Sequence, residues 1–213
     1  MLPVKPHPEP QQFDKLVRQP GRCFLANTKS PTSSQWSKHN YWKHIHDPMW
    51  NFYSGICMYC ATFTPQRQAS KTTSIDHFKP KKDFPQLAYE WSNYRLCRRL
   101  LNHKKDRHTD VLDPFQIKKG WFAIDFDTFL VQPGTEIDTS IAAQVRTTIK
   151  RLDLNSTGYV KERLKAIQHY VLGGIPKETF RNLYPFIASE MDRVNFDSSV
   201  RPRLIKLMPK SFT

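Results

Sequence analysis

The sequence predicts an α+β protein in which a small unit of two strands and one helix is embedded in a mainly helical chain. Three observations carry that expectation. The run Thr73-Ser-Ile-Asp-His77 stops at Phe78-Lys-Pro80 and reads as a short strand; Tyr94 to Cys97 reads as a second, and Arg98 to Asp106 as a helix that turns Asn102 inward. Trp121 to Val131 places Phe122, Ile124 and Phe126 on one face, with Asp127-Thr128 as a turn, which is a hairpin pattern. Beyond it, Ile137, Ile141, Val145, Ile149 and Leu152 form one apolar stripe after Asp138. Val160, Leu164, Ile167 and Val171 form another after Asn155, ending at Gly173-Gly174.

In chain order, residues 1–35 carry Pro3, Pro6, Pro8, Pro10, Pro20 and Pro31 and a Ser/Thr cluster from Ser30 to Ser34. That composition predicts an extended or only locally ordered segment suited to binding a partner. From Gln35 to Tyr53 the aromatics Trp36, Tyr41, Trp42, Trp50, Phe52 and Tyr53 are dense and partly at helical spacing, so core packing is favoured over base stacking. His39, His44 and His46 read as surface residues. The strand and helix unit falls within 36–115, and 116–213 holds the hairpin and a helical region. There Pro176 opens a third helix and Pro185 interrupts or restarts it. The segment Arg201 to Thr213 has four basic residues and no acidic one, which makes it a candidate tail for nucleic acid or an acidic partner.

The length of 213 residues suits one domain, or a small core with appended helices, and suffices for a self-supporting core. With 33 Lys+Arg against 19 Asp+Glu, the formal net charge of +14 favours a polyanion such as nucleic acid over an acidic small molecule. No apolar run approaches the roughly 20 residues of a membrane-spanning helix, and Met1-Leu-Pro-Val-Lys-Pro-His-Pro8 lacks a signal-peptide core, so a cytoplasmic location is expected. Four cysteines are too few for a disulfide framework, and Cys57-x-x-Cys60 reads as a metal half-site more readily than as a redox pair, because no thioredoxin-like pattern surrounds it.

The chemistry concentrates on Asp76-His77, Asn93 and Asn102. Phosphodiester hydrolysis needs a water made nucleophilic and a cation to take up charge on the phosphate and the leaving oxygen. His77 suits the base, since an ordinary imidazole pKa of about 6.5 leaves it largely neutral at physiological pH. A hard cation such as Mg²⁺ or Mn²⁺ takes oxygen ligands and keeps several waters, so the Asp76 carboxylate and the Asn102 amide form a sufficient protein donor set. Neighbours on a strand face opposite ways, so Asp76 and His77 can flank one centre only where the strand ends, as it does at Phe78-Lys-Pro80. Asn93 is placed to brace the intervening loop against the strand that carries the base. Lys71 to His108 contains ten Lys/Arg and four Asp/Glu. Lys79, Lys81, Lys82, Arg95, Arg98, Arg99, Lys104 and Lys105 are therefore candidate phosphate contacts, which position a substrate without reading its sequence.

The order and spacing of Asp76-His77, Asn93 and Asn102 is that of an HNH nuclease site. With Cys57-Met-Tyr-Cys60, Tyr89-Glu-Trp-Ser-Asn93, Asn102-His-Lys-Lys-Asp106, Trp36 to Trp50, Thr147 to Asn155 and Tyr159 to Arg163, the chain resembles the PtuB-type HNH endonucleases of bacterial Septu anti-phage systems, including those encoded beside retrons. The resemblance covers most of the chain. It implies a ββα-metal (HNH) core and an endonuclease acting on DNA or on a structured RNA such as tRNA. It also implies a PtuA-type ATPase partner, because the chain has no Walker-type loop, and in the retron-linked form a reverse transcriptase with its multicopy DNA. Zinc-bearing relatives place a second cysteine pair where this chain has Arg98 and Leu101. Cys57 and Cys60 are then half of a tetrahedral site that Cys97, His103, His108 or Cys23 would have to complete. Less than one zinc per chain is expected, with Arg98 and Leu101 replacing the metal by a salt bridge and packing. The alternative function is a catalytically degenerate nucleic-acid-binding or complex-forming subunit with the same charge.

Overall fold

The structure is a computed structural model and describes residues 1–65 and 72–207, with side chains to Ile205. It is a mixed α+β fold with two small antiparallel sheets among largely helical segments. Strand β1, Thr73–His77, pairs with β2, Tyr94–Arg98, from Thr73 opposite Arg98 to His77 opposite Tyr94. The alternation of β1 separates two environments. Ile75 and His77 lie on one face with Leu96 and Tyr94, against Phe13, Val17, Trp36, Met49 and Tyr89. Ser74 and Asp76 lie on the other with Cys97 and Arg95.

The helix Arg99–Lys105 leaves β2 directly and packs back on β1. Strands and helix thus take the arrangement and nearly the bounds expected for them. Both sheet edges are occupied, which is how exposed strand edges are kept from pairing with other chains. On the outer edge of β2, the Met58 N–H donates to the Leu96 carbonyl (2.9 Å) and the Arg98 N–H to Cys57 Sγ (3.3 Å), so the Cys57–Cys60 turn closes that side. On the outer edge of β1, Asn102 and Lys105 donate to the Ile75 and His77 carbonyls (3.4 and 3.3 Å).

The first 35 residues depart from the extended segment expected of them. The chain is helical from Asp14 to Arg18 and through α1, Gln19–Asn27, and Thr32 caps α2, Ser33–Lys38, with a reciprocal Thr32–Gln35 capping box. Phe13, Val17 and Phe24 recur on one helical face and bury in the core shared with β1 and β2, which offsets the proline content. Even the proline-rich start is tied down: the Val4 N–H donates to the Pro114 carbonyl (3.0 Å) and Trp91 Nε1 to the His7 carbonyl (2.7 Å). The aromatics at 36–53 pack, as expected, around α3, His46–Phe52; Trp36 is buried and Trp42 half-buried.

With the helix Arg99–Lys105 numbered α4, the hairpin β3, Phe122–Ile124, and β4, Val131–Pro133, follows. Then come α5, Thr139–Arg151, capped by Asp138, and α6, Thr157–Val171. Val145 and Leu152 are buried on α5, but α6 turns Tyr159, Ala166, Ile167, Tyr170 and Val171 inward and leaves Val160 and Leu164 half-buried. The stripe centred on Leu164 is therefore rotated, because the tyrosine rings carry more apolar area than the aliphatic positions used to set the phase. Pro176 precedes α7, Lys177–Leu183, and Pro185 starts α8, Pro185–Arg193. The basic tail from Arg201 continues as helix to Leu207 and lies beyond that outside the described residues; Arg201 bonds the Val171 carbonyl and Arg203 pairs with Asp127. No helix among the described residues is long and apolar enough to cross a membrane.

Candidate active site

A cleft of about 970 Å³ runs along the outer edge of β1. One wall is α4, through Arg99, Asn102 and His103; the other is the Trp42–Asp47 segment. Asp76 and His77 point from opposite faces of β1, and the strand end between them and Pro80 brings both to this one cleft.

The His77 ring is nearly enclosed, with the Trp42 and Tyr94 rings edge-on at centroid distances of 4.7 and 5.2 Å. Its Nε2 lies 2.9 Å from the Ala88 carbonyl, which can only accept, so the ring proton sits on Nε2 and the Nδ1 lone pair is left free of protein donors among the described residues. Burial, with the neighbouring Lys81 charge, lowers its pKa from 6.5 to about 3 against the opposing Ala88 bond. Asn93 does the bracing expected of it. Its Oδ1 accepts from the Lys79 N–H (2.7 Å), its Nδ2 donates to the Lys79 and Leu87 carbonyls (3.0 Å each), and its own carbonyl takes the Phe78 N–H (2.9 Å). The loop that begins where β1 ends is thereby locked to the start of β2.

Asp76 is buried, and its Oδ2 accepts from the Tyr59 hydroxyl (2.6 Å) and faces Lys105 Nζ at 3.3 Å. Burial raises its pKa, opposed by Lys105 and the Tyr59 bond. Asn102 spends its Nδ2 on Ser74 Oγ (2.9 Å) and the Ile75 carbonyl, which leaves its amide oxygen without a protein donor among the described residues. Asp76 brings a carboxyl group and Asn102 an amide oxygen to one cleft, hard oxygen donors of the kind that suits Mg²⁺ or Mn²⁺ with most of its shell left to water and substrate. No group of three or more His, Cys, Asp or Glu converges as a metal cage among the described residues. A cation here would rest on this carboxylate and amide alone.

The eight basic residues expected at phosphate divide. Lys81, Lys82 and Arg99 line the cleft, with the Lys81 ammonium 4.4 Å from the Trp42 ring centre. Lys79 and Lys104 lie outside it, Lys79 near the Phe78 and Phe84 rings and Lys104 paired with Asp153. The other three are corrected. Arg95 is 3 % exposed, bonded through Nε and Nη2 to Asp113 (2.8 and 2.6 Å) and stacked on Phe115, because its position on β2 faces inward. Arg98 forms a two-pronged pair with Glu162 of α6 (2.7 Å each). Lys105, fully buried, donates to the His77 and Phe78 carbonyls and pairs with Asp76.

At the cysteine turn, Arg98 makes the expected salt bridge and Leu101 packs in the core. Cys57 is buried and its thiol pushed up by burial, whereas Cys60 is pulled down, first by its bond with Cys57 and further by Arg98. Cys97 is held by Ser74, and Cys23 is exposed on α1.

Sequence reasoning missed Tyr59, Ser74, Trp42 and His46. Ser74 was accessible, since strand alternation puts it on the Asp76 face. His46 was read as a surface residue but lines the cleft and bonds Thr73 Oγ1 (2.9 Å). Tyr59 had no sequence signal beyond its place between two cysteines. Comparison of the chain with protein-family models and with curated proteins returned no match.

Proposed function

We propose that this chain is a metal-dependent HNH endonuclease that hydrolyses phosphodiester bonds of DNA or of a structured RNA such as tRNA. The observation that carries the reading is the meeting of Asp76, His77 and Asn102 on one basic cleft, with the free Nδ1 of His77 turned to no protein donor. His77 Nδ1 takes a proton from the attacking water. Asp76 and Asn102 would hold the cation, which when bound would stabilise charge on the phosphate and the leaving oxygen. Lys81, Lys82 and Arg99 hold flanking phosphates, and Asn93 keeps the base in place.

The resemblance to PtuB-type subunits supports placing this activity in a Septu-type anti-phage complex. A PtuA-type ATPase then supplies the nucleotide dependence, and in the retron-linked form a reverse transcriptase and its multicopy DNA restrain the nuclease until infection. One observation favours the second reading, a catalytically degenerate binding subunit: Asp76 already has a cation, the Lys105 ammonium, 3.3 Å from Oδ2.

The two readings part on one experiment. Purified complex is incubated with duplex DNA, single-stranded DNA and tRNA, with Mg²⁺ or with EDTA. His77→Ala is expected to lower cleavage at least about 100-fold while leaving partner binding and folding unchanged. Wild-type turnover in that variant, or cleavage indifferent to EDTA, defeats the endonuclease assignment.

A further inference from the structure

We infer that Tyr59 and Lys105 are positioning residues that hold Asp76 by a single oxygen, leaving the other as a fixed, one-pronged ligand for a divalent cation in the cleft. The inference rests on the metal-dependent reading above and names residues that the motif does not contain.

A carboxylate turns freely about its terminal torsion unless something holds it. Here two donors from different parts of the chain converge on the same atom: the Tyr59 hydroxyl at 2.6 Å and Lys105 Nζ at 3.3 Å, both on Oδ2. Two donors on one oxygen fix the plane of the group. Oδ1 has no protein donor among the described residues, and Asp76 lines the cleft. A carboxylate free on both oxygens can bind a cation two-pronged or swing away; this one cannot swing without breaking the buried Tyr59 hydrogen bond and the Lys105 ion pair. Lys105 does a second job from the same position, since its remaining bonds go to the His77 and Phe78 carbonyls at the strand end (3.3 and 2.9 Å). The ammonium therefore sets Asp76 and the backbone of His77 relative to each other.

Tyr59 reaches Asp76 because of the turn it stands in. The Ala61 N–H closes on the Cys57 carbonyl (2.8 Å), and Met58 and Cys57 dock that turn on β2 through Leu96 and Arg98. The Cys57–Cys60 turn is thus the mount for the Tyr59 hydroxyl. Neither residue touches substrate: Lys105 is fully buried, Tyr59 is buried in the core, and neither lines the cleft.

The test uses the full chain and Mn²⁺ alone, read as loss of the free Mn²⁺ electron-paramagnetic signal, with Asp76→Asn as the reference that removes the ligand. Tyr59→Phe, which deletes one hydroxyl and keeps the ring, is expected to weaken Mn²⁺ binding about tenfold in a protein that still unfolds cooperatively. In a cleavage assay, raising Mn²⁺ restores the Tyr59→Phe rate, which a packing defect would not allow. Wild-type Mn²⁺ affinity in a folded Tyr59→Phe protein overturns the inference, as does a wild-type chain whose Mn²⁺ binding is indifferent to Asp76→Asn. If Mn²⁺ binding follows the expected order while no nucleic acid is cut, the positioning role stands and the endonuclease reading falls.

Discussion

At His77, Nε2 is committed to the Ala88 carbonyl and Nδ1 has no protein donor among the described residues. The bond from Nε2 to Ala88, whose carbonyl also accepts the Tyr94 hydroxyl at 2.7 Å, fixes both ring orientation and tautomer. The same burial has a consequence for stability. The pKa falls to about 3 in the folded chain, against an ordinary 6.5 once unfolded. Between those values the unfolded chain binds the proton and the folded chain does not, so stability from this residue is present above pH 6.5 and is lost as pH falls towards 3. In protein freed of divalent cations, urea unfolding of wild type and His77→Gln is expected to diverge in this window. The wild type should lose stability more steeply with falling pH, by up to one proton's worth of slope. Parallel pH profiles would mean that the ring is solvated and keeps an ordinary imidazole pKa in the folded chain. Around it, the shared placement of Asp76 and Asn102 and the bracing by Asn93 were legible from residue type and spacing along the chain. Arg95 and Lys105 were misread because a count of basic residues weights each equally. Position decides instead: Arg95 alternates inward on β2, and Lys105 lies three residues after Asn102, on the helix face that meets Asp76.

Among the elements, the N-terminal helices test how far proline content can mislead. Six prolines before residue 32 argue for an open segment, yet Phe13, Val17 and Phe24 carry an apolar face that the prolines do not interrupt. Pro20 sits in a continuous helical run just after the π-helical turn Asp14–Arg18, so its missing N–H falls where the wider turn passes into α1. Gly21 is the close-approach point: an added Cβ would collide with the ring of Tyr89, which is buried and anchored by its hydroxyl to the His39 carbonyl (2.7 Å). Gly21→Ala is therefore expected to destabilise the protein by about 1–3 kcal/mol, through overpacking of a ring that has nowhere to move. Chemical denaturation read by tryptophan fluorescence measures it. A change within about 0.5 kcal/mol, as at an ordinary surface site, would show that α1 is not held on the core. The strands β1 and β2 were readable because breakers bound them at Pro80 and at the Trp91–Asn93 turn. The phase of α6 was not, because Tyr159 and Tyr170 compete with Val160 and Leu164 for the buried side and the sequence does not say which neighbour each will meet.

Over the whole molecule the net charge of +14 overstates what the cleft presents. Arg18 is shared among Glu9, Asp14 and Glu90, and Arg95, Arg98, Arg151 and Arg181 are each tied to a carboxylate. Among the described residues the cations that line the cleft are Lys43, Lys81, Lys82, Arg99 and Arg107, two of which, Lys43 and Arg107, lie outside the expected set. Arg107 is also paired with Asp83, so it gives up part of its charge before any phosphate arrives. Each phosphate neutralised on duplex DNA releases about 0.9 counterion, so occupation of three to five of these cations predicts a log Kd against log salt slope of about 3 to 4.5. Fluorescence anisotropy with labelled duplex, using the His77→Ala protein in EDTA, measures it. Lys82→Ala and Arg99→Ala are each expected to lower the slope by about 0.9, because their side chains are exposed on the cleft. Lys104→Ala, whose ammonium pairs with Asp153 at 2.9 Å outside the cleft, leaves the slope unchanged. A slope near 10, or equal losses at Lys82, Arg99 and Lys104, would mean that nucleic acid is held by the general basic surface and that the edge of β1 is not its track.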